Sequence, residues 1–95
     1  MATALGVLHL DVVVSDAMSL KDKRRIVKSF LDRTRARHNV SVALVEGADS
    51  LRRATLAVAM IGSDLRYVQG GLQKIANAAE EHRGMVVVSS DIEML

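Results

Sequence analysis

VSVALVEGADSLRRATLAVAMI, residues 40–61, is the stretch on which the fold turns. Two Val- and Ala-rich runs, 40–46 and 53–61, enclose GADS, in which Gly47, Asp49 and Ser50 are turn formers. Short apolar runs joined by such residues read as two strands of a hairpin. Helical periodicity begins on both sides of it. Upstream, Ser19 is a good N-cap with Asp22 in the capping-box position, and apolar residues follow at 20, 26, 27, 30, 31 and 34. This helix is expected to end near His38–Asn39, with Asn39 as a left-handed cap. Downstream, Ser63 and Asp64 cap a helix of about 65–82, with Leu65, Val68, Leu72, Ile75 and Ala79 spaced three or four apart.

The ends of the chain complete the pattern. Residues 4–14, ALGVLHLDVVV, read as a strand with His9 and Asp11 on one parity and mostly aliphatic residues on the other. Gly84 ends the second helix and MVVVSSDIEML, residues 85–95, reads as a fourth strand. The order β-α-β-β-α-β predicts one ferredoxin-like domain of the α+β sandwich class over residues 1–95. Its four-stranded antiparallel sheet should carry both helices on one face. Leu8, Leu10, Val12, Ile26, Phe30, Val68, Leu72 and Ile75 should form the core, and the first and fourth strands are not expected to be neighbours. Gly70 and Gly71 fall inside the second helix, where each costs about 1 kcal/mol against Ala. No phosphate-binding glycine spacing surrounds them, so a bend or a close crossing with a neighbour is expected.

Composition narrows the function classes. There is no cysteine, hence no disulfide framework and no thiolate chemistry. No apolar run reaches the length of a membrane span and no signal-peptide pattern opens the chain, so a cytoplasmic protein without membrane contact is expected. Hydrophobic residues make up 49% of the sequence and are almost all aliphatic, more than one small core needs. Strand two is apolar on both parities, with Val42 and Leu44 on one and Ala43 and Val45 on the other. A sheet with one wet face alternates more cleanly, so a homodimer or higher oligomer is expected.

SLKDKRRIVKSFLDR, followed by NVSVALVE and RRATLAVAMIGSD, resembles the YlxP-like family, small bacterial proteins of unknown function. The likeness spans nearly the whole chain. It implies a ferredoxin-like fold and a link to translation, since genes for such proteins often lie among those for translation and ribosome maturation factors. It supplies no catalytic residue. Leu44 and Leu51 depart from the pattern, which has Glu and Trp there.

Chemistry-bearing residues are sparse. His9 and Asp11 share one strand face and, with a third carboxylate, could hold a metal, but polar residues of that kind more often mark the wetter side of a sheet. His38 and His82 stand near helix ends, where a cation suits the dipole. Lipase, zincin, P-loop and dinucleotide motifs are absent, so neither an enzyme nor a cofactor is expected. One Phe and one Tyr cannot build the aromatic platform with which an RNA-recognition motif stacks bases.

Charge is the informative feature. Residues 21–37 hold eight of the thirteen Lys and Arg and only two acids, Asp22 and Asp32. At 100° per residue, Lys21, Arg24, Arg25, Lys28 and Arg35 fall on one outward stripe, interrupted by Asp32 and opposite the apolar face. Arg33 and Arg37 flank the far edge of the apolar stripe, and Lys23 falls on the apolar side, whence it should snorkel outward. A solvated helix face usually mixes signs more evenly. The expectation is a non-enzymatic RNA- or ribosome-associated protein that grips rRNA phosphates through Lys21, Arg24, Arg25, Lys28 and Arg35, without DNA specificity. The alternative is a homodimeric regulatory or ligand-binding module whose basic helix binds an acidic protein or metabolite.

Overall fold

In the computed structural model, which describes residues 2–95, the six elements follow as β1 (Ala4–Val13), α1 (Leu20–Arg37), β2 (Val40–Glu46), β3 (Arg53–Gly62), α2 (Leu65–Glu81) and β4 (Val86–Met94). The sheet runs β2-β3-β1-β4 with every neighbouring pair antiparallel, which is the ferredoxin-like arrangement. One expectation is corrected: β1 and β4 are neighbours, with His9 opposite Asp91 and Asp11 opposite Ser89. The reason is topological. Each helix carries the chain past the place of one strand, so the hairpin returns β3 to the gap between β2 and β1. By the same logic α2 delivers β4 to the far side of β1.

Strand alternation builds the core. Leu8, Leu10 and Val12 of β1 and Ala54, Leu56, Val58 and Met60 of β3 are buried beneath the helices, whereas His9 and Asp11 are exposed on the open face. Of the predicted core residues all are buried except Ile26, which packs half-buried at the margin. Two bulges interrupt the edge strands: Val88 of β4 and Val45 of β2 have no partner in the register. An extra residue of this kind bends an edge strand and blunts its pairing.

The glycines of α2 have different reasons. A Cβ on Gly71 would stand 2.8 Å from both Sδ and Cε of Met60, so the helix lies hard on β3. The close approach is therefore to the sheet and not to α1. Gly70 has open space around it, and nothing in the packing explains it. Asn39 is not a left-handed cap, since no residue other than glycine has a positive φ among the described residues. His38 caps α1 in extended geometry, its N–H donating to the Thr34 carbonyl at 3.0 Å. With β2 starting at Val40, the chain must be extended already at that point.

Candidate nucleic-acid interface

The first turn of α1 is closed by its own side chains. Ser19 Oγ accepts from the Asp22 N–H at 3.1 Å, and Asp22 Oδ2 accepts from the Met18 N–H at 3.2 Å. The capping box is thus shifted by one residue, because the carboxylate reaches the N–H before the cap. Once nucleated here, the helix faces are set by spacing: Val27, Phe30, Leu31 and Thr34 turn inward and are buried. Thr34 satisfies its hydroxyl on the Phe30 carbonyl at 2.8 Å.

Lys23 turns inward with them, and this overturns the expectation that it snorkels. The residue is 1% exposed, and Nζ donates to the carbonyls of Gly47 and, at 2.6 Å, of Ser50. No carboxylate lies within ion-pair reach among the described residues. The ammonium instead gathers the carbonyls of the β2–β3 turn, where Gly47 takes φ +88°, a conformation that other residues rarely adopt. Burial holds the Lys23 ammonium below its ordinary pKa, and the neighbouring charge of Arg24 pushes the same way, with Asp49 opposing. Lys23 is therefore a tie between α1 and the hairpin and is withdrawn from the surface charge.

The five cations of the predicted stripe, Lys21, Arg24, Arg25, Lys28 and Arg35, are all exposed on the outer face of α1. The structure adds their partners. Arg25 meets Asp22 at 3.0 Å, and Asp32 sits between Lys28 at 2.5 Å and Arg35 at 2.6 Å. Asp32 is held below the ordinary carboxylate pKa by the hydrogen bonds from Lys28 and Arg35. One carboxylate thus engages two cations, where spacing alone shows mainly the Lys28–Asp32 pair. Lys21 and Arg24 form no ion pair among the described residues. Exposed pairs three or four residues apart are weak and screened by salt, so the paired cations remain exchangeable.

Other basic residues lie off the outer row. Arg33 and Arg37, on the far edge of α1, line the seam with the end of α2, as does Arg83. His82 lies at the bottom of this seam. Its Nε2 is 3.2 Å from the Ile26 carbonyl, and its ring meets Phe30 edge-on at 5.5 Å, so its role is to join the helices. The polar cluster of the open face is separate. Asp11 accepts from Thr55 Oγ1 at 2.7 Å and Ser89 Oγ at 2.8 Å, bonds that hold its pKa below the usual value. These three residues are cross-strand partners on β1, β3 and β4. No group of three His, Cys, Asp or Glu side chains suited to a metal occurs among the described residues.

The family described as "Protein of unknown function (DUF503)" matches residues 5–92. The chain is also similar to "Uncharacterized protein YlxP" of Bacillus subtilis (strain 168), with 28% identity over 71 residues, 75% of this chain and 77% of that protein. Both findings agree with the resemblance carried by SLKDKRRIVKSFLDR and NVSVALVE. No helix among the described residues is long and apolar enough to cross a membrane.

Proposed function

As the chain belongs to the DUF503 family, which has no assigned function, we propose from its own surface that it is a non-enzymatic, cytoplasmic RNA- or ribosome-associated protein whose helix α1 binds rRNA phosphates. The observation that carries this reading is the exposed row Lys21, Arg24, Arg25, Lys28 and Arg35, opposed by only Asp22 and Asp32. The acids of the opposite side reinforce the polarity: Asp11, Asp91 and Glu93 are exposed on the sheet face that the helices leave open. A molecule with one cationic side is drawn to polyanions and oriented by them. The scarcity of aromatics directs contact to phosphate and helix shape and away from bases. The link to translation that the family resemblance implies favours RNA over other polyanions.

Co-sedimentation with ribosomal subunits at low and high salt tests the proposal, with salt-sensitive co-migration as the expected result. The quantitative form is a salt series on structured rRNA fragments. Changing Lys21, Arg24, Lys28 and Arg35 together to Gln should weaken binding. It should also flatten log K against log salt by up to roughly 0.7–0.9 for each phosphate no longer engaged. Equal affinity and slope for the two proteins would make the row a solvated face.

A second reading is favoured by the open sheet face. Val7, Ser41, Ala43, Ala57 and Ala59 line a shallow apolar hollow there, and Val45, Ile61, Val86 and Val88 are about half exposed. A homodimer formed over this face would leave α1 free for an acidic protein or metabolite. Light scattering at micromolar concentration should then return about twice the 10.3 kDa chain mass.

A further inference from the structure

We infer that the seam between α1 and the C-terminal end of α2 is a phosphate-binding groove built on arginine, separate from the outer row. The inference extends the reading of α1 as an anion-facing helix but rests on Arg33, Arg37 and Arg83; of the outer row only Arg25 reaches the groove, at one of its hollows. Two hollows lie along the seam. One, of about 500 Å³, is lined by Arg25, Arg33 and Arg83. The next is lined by Arg33 and Arg37. Arg33, Glu81 and His82 belong to both, so the two form one continuous groove.

Three features distinguish this groove from a solvated surface. First, its cations are all arginine, whose planar fork matches phosphate oxygens two at a time and sheds water more readily than an ammonium. Second, Arg33, Arg37 and Arg83 form no ion pair among the described residues, unlike Arg25, Lys28 and Arg35. The acids lining the groove are Asp16 and Glu81, and neither comes within 4 Å of these guanidinium groups, so the cations are not already neutralised. Third, the groove is concave over an apolar floor. Phe30 and Ile75 are buried, Ile26 half so, and His82 is fixed on the Ile26 carbonyl. Charges on the rim of a low-dielectric hollow act on a ligand more strongly than the same charges on a convex helix. Arg33 and Arg37 stand one helical turn apart, about 5–6 Å between Cβ atoms, which suits adjacent phosphates of one strand or of a small polyphosphate.

The test separates the groove from the outer row and the two sources of phosphate from each other. Tripolyphosphate is titrated into the isotope-labelled protein and backbone amide signals are followed. Signals of Ser29, Arg33, Ala78, His82 and Gly84 should move, and should stop moving in the variant R33Q/R37Q/R83Q. All three residues are exposed, so that variant should keep the remainder of its spectrum. Glu81→Gln removes the one acid shared by both hollows and should tighten tripolyphosphate binding by about threefold, a fraction of a charge–charge interaction. Movement confined to Lys21, Arg24 and Lys28, or movement that persists in R33Q/R37Q/R83Q, would overturn the groove. A structured rRNA fragment forms the second arm, and there R33Q/R37Q/R83Q should lower the salt slope by up to about 2–3. RNA binding with an unchanged slope would remove the groove from the RNA footprint. A groove that answers tripolyphosphate in a protein that ignores rRNA would stand as a site for a free polyphosphate ligand and would sink the RNA reading instead.

Discussion

Lys23 and Lys28 stand on one helix, little more than a turn apart, and meet opposite fates. Lys28 is exposed and shares Asp32 with Arg35. Lys23 is buried and holds two backbone carbonyls of the β2–β3 turn. The same side chain is exchangeable charge on one face of α1 and structural wiring on the other. The difference teaches that charge counted along a sequence overstates charge available to a partner. Of the eight basic residues between 21 and 37, one is consumed by the fold and three are partly neutralised on the surface. The other four, Lys21, Arg24, Arg33 and Arg37, form no ion pair among the described residues.

The inner face should be far more sensitive than the outer one. Phe30→Ala removes a ring that is 2% exposed and that also carries the edge of His82. It should lower stability by about 3–5 kcal/mol in denaturant unfolding. A decrease below about 1 kcal/mol would mean that α1 is barely anchored and would erase the contrast between its faces.

Lys23→Met comes next, since it keeps the apolar stem and removes the donor. Two turn carbonyls would be left without this partner, although that of Gly47 keeps the Ser50 N–H at 3.1 Å. A destabilisation of about 1–3 kcal/mol is expected, with faster amide exchange across residues 47–52. The pH dependence sharpens the contrast. The folded pKa of Lys23 is lowered, so between that value and the ordinary one near about 10.4 the unfolded chain binds more protons. Stability attributable to Lys23 therefore rises with pH through that window. The advantage of the native protein over Lys23→Met should grow on going from neutral pH toward about pH 10. A flat advantage would mean that the ammonium is still well solvated, and a shrinking one that the two carbonyls favour the charge more than burial disfavours it.

The smallest effect belongs to Asp32→Asn on the outer face. The pKa of Asp32 is lowered in the folded state, so its contribution is present above the ordinary carboxylate value and is lost as pH falls through the folded one. The variant should be slightly less stable than the native protein at neutral pH and converge on it below about pH 4, so that its acid limb is slightly flatter. It should also strengthen RNA binding, because it frees Lys28 and Arg35 together. Weaker RNA binding by Asp32→Asn would indicate that the carboxylate positions those cations for their ligand and does not compete for them.

Much of the molecule is legible in its residues. Period and capping locate all six elements, since Ser19 and Asp64 do accept the N–H groups of their helices. The outward row on α1 is equally readable, because spacing at 3.6 residues per turn dictates which side chains share a face. The positions that resist such reading have a common cause. Periodicity puts Lys23 on the inner side, but its fate depends on two carbonyls 24 and 27 residues away. Gly71 signals a close approach, yet its partner is Met60 on the sheet, which periodicity within one helix does not reveal. No local pattern joins Arg83 with Arg33 and Arg37, since the seam exists only once α2 lies beside α1.

The sequence by itself determined the order of elements, the buried faces of β1 and the two helices, and the concentration of cations on one helix, because these follow from local periodicity, caps and charge. Tertiary structure alone decided that β4 lies against β1, that Lys23 is withdrawn from the surface and that Arg33, Arg37 and Arg83 share a groove. Those outcomes depend on which distant backbone and side chains meet, and no local spacing carries that information.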